Sequence, residues 1–260
     1  MKRALILCGG WPGHDPEAVA ARFAGALRAA GCEIETIRST GPFADRDFLR
    51  RFNLLVPVWS YTGENVLPDE WAVNVVDAVA GGMGVAGCHG GMCDAFRESV
   101  LWQFMTGSQW VAHPSVPFIH CTPAVPSRAE DFLREYRIRI ADAKSPITRG
   151  LSDFDMCSEL YYLHLDPAVH VLAETIVTGD GAFAPHLVDG PVTMPIAYTR
   201  HWGKGRIFYC SLGHCDAEFD RFPAAWELTR RGLLWALDGA LPGEAEPSGT
   251  DAILEGGMRP

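Results

Sequence analysis

Short apolar runs and longer amphipathic stretches alternate through the first half of the chain. Ala4-Leu5-Ile6-Leu7-Cys8 is an uninterrupted apolar run closed by Gly9-Gly10, and it predicts a buried first strand. Residues 16–30 predict a helix, with Asp15 as candidate N-cap, Pro16 in the first turn and Gly31 as the stop. Residues 33–37 predict a second strand. Residues 54–59 form a third apolar run, whose Pro57 suggests a strand end or an irregular stretch. Residues 68–80 predict a second helix and residues 84–88 a fourth strand. Strands alternating with helices imply right-handed crossovers and an α/β architecture: a doubly wound, mostly parallel sheet with helices on both faces.

Beyond Gly107 the pattern loosens. Pro114, Pro117, Pro123 and Pro126 predict loops, and Ser158-Glu159-Leu160-Tyr161-Tyr162 reads as loop-like. Residues 136–140, 169–173, 195–199 and 206–211 predict further strands, residues 202–206 a hairpin turn with its cations in solvent, and residues 223–237 a closing helix. Residues 1–240 are expected to form one domain. Residues 241–260, rich in Gly, Pro and Glu, read as a tail.

Composition narrows the function classes. The 260 residues are 48% hydrophobic and 21% charged, as in an ordinary globular enzyme. Their 22 basic and 32 acidic side chains give a net charge of −10, which disfavours nucleic acid and anionic membrane as partners. The eight cysteines include no CxxC pair, and the apolar start is too short for a signal-peptide core. Reduced thiols in a cytoplasmic protein are therefore expected. Homo-oligomerisation is left open.

The segment with most chemical content is Gly87-Cys88-His89-Gly90-Gly91, directly after a predicted strand. A nucleophile-elbow turn of this kind presents its central side chain, here His89, to the crevice at the carboxyl end of the sheet. Cys88, one residue earlier, is expected to point into the sheet packing. His14 follows the first strand and His214 follows the strand at 206–211, so both occupy the same topological position as His89. Three histidines at equivalent strand ends can share one site. Glu159 offers a carboxylate beside the phenol of Tyr161, and His113 lies in a loop after the elbow helix. Trp11, Trp59, Tyr61 and Trp110 could stack against sugar C–H faces. His89, Glu159 and His214 are the candidate acid/base residues. Trp11, His14, Tyr61, His113 and Tyr161 are candidate substrate contacts. His14, His89, His214 and Glu159 also form a nitrogen/oxygen set suited to a divalent metal such as zinc, although no local H-x-H spacing announces one.

An ordered set of segments carries a family likeness. Gly84 through Gly91, Trp110 with His113-Pro114, and Ser145-Pro146-Ile147-Thr148-Arg149-Gly150-Leu151 come first. Ser158-Glu159-Leu160-Tyr161 and then Gly203-Lys204-Gly205-Arg206-Ile207-Phe208-Tyr209 with Leu212-Gly213-His214 follow. Over roughly residues 4–238 the chain resembles the ThuA (trehalose utilisation) family. That resemblance implies a class I glutamine amidotransferase-like, flavodoxin-related fold and a bacterial role in sugar or disaccharide catabolism. It points to His14, His89, His113, Glu159, Tyr161 and His214. Two departures matter. True amidotransferases carry cysteine at the elbow centre where this chain has His89, which argues against glutaminase activity. The family often has histidine where Ser145 stands. An enzyme acting on a disaccharide or keto-sugar by histidine chemistry is expected. The alternative is a non-catalytic carbohydrate-binding or regulatory protein on the same fold.

Overall fold

The computed structural model describes residues 1–63, 66–114, 132–179, 186–239 and 241. The apolar runs of the first half become β1 (Arg3–Gly9), β2 (Glu33–Ile37), β3 (Leu54–Trp59) and β4 (Gly84–Cys88). Between them lie α1 (Pro16–Ala29), α2 (Arg46–Leu49) and α3 (Asp69–Ala80), followed by α4 (Gly90–Cys93) and α5 (Val100–Thr106). The second half adds β5 (Ser108–Ala112), β6 (Leu133–Ile140), β7 (Phe154–Glu159), β8 (Tyr162–Leu165), β9 (His170–Val177), β10 (Val192–Trp202) and β11 (Gly205–Cys210). It closes with α6 (Asp216–Arg221) and α7 (Pro223–Asp238).

Among the described residues nine strands form one mixed sheet in the order β2-β1-β3-β4-β11-β10-β9-β6-β7, and β5 pairs with β8 in a separate two-stranded sheet. From β2 to β11 the pairs are parallel, and from β11 to β7 they are antiparallel. The parallel half has the flavodoxin-like strand order, in which the crossovers place helices on both faces and open a crevice at the carboxyl ends of the central strands. Burial on both faces explains the unbroken apolar runs. Ala4, Leu5, Ile6 and Leu7 are all 0% exposed, and burial of each Leu or Ile side chain contributes about 1.5–3 kcal/mol.

Several expectations need correction. Asp15 does occupy the N-cap position of α1, but with left-handed backbone (φ 47°, ψ 51°) and no side-chain capping bond. The second helix starts at Asp69, with Pro68 before it as the N-cap. Pro57 is not at a strand end: it lies within β3 opposite Leu7. The β3–β4 ladder is already over at Leu55, so the proline falls where the strand is paired on one side only. Residues 108–112, in the loosened region, form β5. The predicted loops at Pro117, Pro123 and Pro126 and the tail at 242–260 lie outside the described residues. Glu159 is not in a loop but ends β7. There the buried residues are Met156, Ser158 and Glu159, so two of the three buried positions are polar and the strand lacks the apolar alternation that would reveal it. The hairpin turn at Gly203 and Lys204 is as expected, except that Arg206 is not free in solvent. Its Nε donates to the carbonyl of Trp235 at 3.0 Å.

Candidate functional site

His89 stands between β4 and α4 with φ 49° and ψ −142°, the strained backbone of a strand-to-helix elbow. Gly90 must follow it, because a Cβ there would lie 2.8 Å from Cε1 of His14. The elbow is fixed by the His89 N–H, which donates to the Cys210 carbonyl at 2.7 Å. The side chain is 2% exposed. It is the floor of a polar cluster and not an open pocket wall.

Four histidines converge on one carboxylate oxygen. Oε2 of Glu159 lies 3.1 Å from His89 Nε2, 3.1 Å from His113 Nε2, 3.4 Å from His214 Nδ1 and 3.9 Å from His14 Nε2. His14 comes from the turn after β1, His89 from the end of β4, His214 from the loop after β11 and His113 from the segment after β5. The parallel strands therefore deliver three histidines to one edge of the sheet, and β7 delivers Glu159 to meet them. His14 Nδ1 is anchored by Ser60 Oγ at 2.6 Å.

The tautomer of His89 decides what the cluster can hold. Its Nδ1 lies 2.8 Å from the Ser211 carbonyl oxygen, which can only accept, so Nδ1 carries the proton. In a neutral imidazole Nε2 is then a bare lone pair, and it faces the Glu159 carboxylate at 3.1 Å. Two acceptors at that distance require a proton or a cation between them. Nδ1 of His214 lies 3.4 Å from the same Nε2.

Ligand atoms of His14, His89, His214 and Glu159 all lie within 4.8 Å of one another. Zinc–ligand bonds of ~2.0–2.1 Å in a tetrahedron separate the ligand atoms by about 3.3 Å. The 3.1, 3.4, 3.4 and 3.9 Å separations within the cluster bracket that value. The residues present thus fit a small divalent cation.

Electrostatics agree with a shared charge. Burial pushes Glu159 up, but hydrogen bonding from His113, His14 and His214 outweighs it and holds the carboxyl far below the usual range. Burial pushes His14 down to about 3, so it is neutral. Burial also opposes charge on His214, yet Glu159 and Glu218 pull its pKa up.

The remaining candidates divide. Trp11 is 42% exposed, with its ring edge-on to His14 at 4.7 Å, so it stands at the rim. Tyr61 lies under the Arg97 guanidinium (4.2 Å), which also covers Trp110 (4.3 Å). Tyr161, expected as a substrate contact, is 2% exposed and stacks on His89 at 4.1 Å. Placed between β7 and β8, it supports the imidazole by stacking on its face. Cys88 is buried 3.9 Å from the Gly213 carbonyl, and burial holds its thiol well above the ordinary value. Cys93 is equally buried, between Tyr209 OH and the His89 carbonyl.

Three contributors were not evident from sequence. Ser60 holds His14. The Asp94–Arg97 pair, joined at Oδ2 and Nη2 over 3.1 Å, flanks the cluster. Glu218 accepts from the His214 N–H at 3.1 Å. Ser60 directly follows β3 at the same sheet edge as the histidines, a signal that was open to use. Glu218, three residues after the N-cap Cys215, has the spacing of a capping box but reaches one residue further back, to the N–H of His214.

Family comparison bears on the whole chain. The model of the ThuA family, described as trehalose utilisation, matches residues 3–236. The chain belongs to the ThuA family. No curated protein is significantly similar in sequence. A ThuA-like protein from Parabacteroides merdae has 18% identity and TM-score 0.66, over 94% of this chain and 92% of that one. A cytoplasmic protein from Salmonella typhimurium has 13% identity and TM-score 0.54, over 88% and 95%. The glutaminase domain of Trypanosoma brucei CTPS, with bound acivicin, has 10% identity and TM-score 0.53, over 91% and 94%. This ThuA-family chain therefore has the class I glutamine amidotransferase-like fold, with histidine at the centre of its elbow. Among the described residues no helix is long and apolar enough to cross a membrane.

Proposed function

We propose that this ThuA-family protein is a cytoplasmic enzyme of sugar catabolism that acts on a disaccharide or a keto-sugar derivative at the histidine–Glu159 centre. In this reading His14, His89, His214 and Glu159 hold a divalent metal such as zinc. The observation that carries it is the approach of the His89 Nε2 lone pair to Glu159 Oε2 at 3.1 Å, which a cation between them resolves. A bound zinc supplies Lewis acidity toward a hydroxyl or carbonyl oxygen.

The chain's own residues supply the rest. His113, with Nε2 3.1 Å from Glu159, is placed to accept or return a substrate proton, since imidazole exchanges protons near neutrality. Trp11 at the rim offers a ring face to a pyranose. Tyr161 and Ser211 fix the His89 ring and its tautomer. Glutamine hydrolysis is not part of the function, because the elbow carries imidazole and the adjacent thiols are buried.

Metal content of the purified protein by plasma mass spectrometry, followed by turnover of trehalose and its 3-keto derivative, tests the reading. About one zinc per chain and turnover that disappears on Glu159→Gln are expected. A protein that comes without metal, takes none up and transforms neither sugar overturns it. Sugar binding with no turnover would make the chain a binding protein.

A further inference from the structure

Glu218, in the first turn of α6, is a carboxylate only 8% exposed. Among the described residues no Lys or Arg is paired with it. A buried carboxylate with no cation is strongly disfavoured unless positive charge lies close by. Its Oε2 takes two neutral donors: Ser158 Oγ at 2.9 Å and the backbone N–H of His214 at 3.1 Å. Each donor adjoins or belongs to the cluster. Ser158 precedes Glu159 on β7, and His214 is itself one of the four.

One oxygen thus ties the loop that carries His214 to the strand that carries Glu159. The sum of charges points the same way. Three neutral imidazoles, the Glu159 carboxylate and a divalent ion carry a net charge of +1, and a second buried carboxylate brings it to zero. Asp94 does not fill this role, because Arg97 already pairs with it.

We infer that Glu218 is a positioning residue and the counter-charge of the metal centre, setting the separation of His214 Nδ1 from Glu159 Oε2 without touching the ion. This rests on the metal reading above. A capping contact alone would place Glu218 against the helix N-terminus, but it would not engage Ser158 on a distant strand.

The test is the zinc dissociation constant of the full chain, measured by competition with a chromophoric chelator at fixed pH, with the melting temperature of each metal-free variant recorded alongside. Outer-shell partners of metal ligands typically contribute 10–100-fold to affinity. Glu218→Gln keeps an acceptor oxygen and loses the charge, and is expected to weaken zinc binding about tenfold. Glu218→Ala loses both and is expected to weaken it ~100-fold. Ser158→Ala, which leaves the carboxylate in place, is expected to have the smallest effect. Wild-type zinc affinity in all three variants overturns the role of Glu218 while leaving the metal centre standing. A wild-type protein that binds no zinc overturns the metal reading itself, and this inference with it. If Glu218→Ala does not fold, the Gln and Ser158 variants still decide: a drop supports the role and no drop removes it.

Discussion

In the parallel half of the sheet the strands inside the edge strand β2 are covered on both faces, and β1 and β3 bury every residue from Ala4 to Leu7 and from Leu54 to Val56. In the antiparallel half, β9 puts Val177 at 1% exposure beside Ile176 at 41%. The two halves also contribute differently to the site. The parallel half gives His14, His89 and His214 from turns just past its strand ends. The antiparallel half gives a single carboxylate, Glu159, from the last residue of β7. The histidines therefore ride on turns pinned by individual hydrogen bonds, His89 N–H to the Cys210 carbonyl and His14 to Ser60, while the group they all address is held by a paired strand, Glu159 opposite Leu133. A site assembled across the boundary depends on both halves keeping their relative position.

Removing the one contribution of the antiparallel half should have the largest effect. Glu159→Ala is expected to lower kcat/KM by at least about 10²–10⁴, because it removes a metal ligand and with it the carboxylate that orients the acid/base residue His113. Steady-state kinetics with the keto-sugar would check it, and a loss under tenfold would mean that β7 brings nothing to the chemistry. Next comes packing. Ile6→Ala, at the fully buried centre of β1, should cost about 2–5 kcal/mol. Ile176→Ala on β9 should stay within ~0.5 kcal/mol. Urea denaturation of the two variants would erase the contrast between the halves if the costs came out equal.

A smaller, pH-dependent effect belongs to His14. Its pKa falls from 6.5 to about 3 on folding. Between those values the unfolded chain binds the extra proton, so stability rises with pH and is lost on acidification below 6.5. One proton corresponds to at most about 1.4 kcal/mol per pH unit. In metal-free protein, His14→Gln should flatten this slope, and an unchanged slope measured by thermal melts from pH 7 to 4 would exclude His14 as its source. The smallest effect is expected at Cys88. Cys88→Ala should leave sugar turnover unaltered, and the wild type should release no ammonia from glutamine. Ammonia release that Cys88→Ala abolishes would return the chain to the glutaminases.

The parallel half was largely legible in the sequence. Strands buried on both faces leave apolar runs, and strand ends in a parallel sheet share one edge. The positions of His14, His89 and His214 therefore followed from chain order together with the elbow glycines. Glu159 was visible as a candidate, but its strand was not, because a buried Ser158-Glu159 pair imitates a loop. The burial of Tyr161 against His89 was not legible, because a phenol beside a carboxylate carries no sign of which way its ring faces. Pro57 misled for a local reason: its effect on a strand depends on whether a neighbour is paired there, and only the sheet register says so.

The left-handed backbone of His89 bears on how this protein could change over generations. A non-glycine residue at such an angle costs about 1–3 kcal/mol, and glycine would relax it. Against that relief stands the loss of a buried ring stacked on Tyr161 and tied to Ser211, and emptying a filled site has a cost of its own. The elbow is therefore a spring held shut by its neighbours, and a change at Tyr161 or Ser211 would be felt first in the backbone of His89.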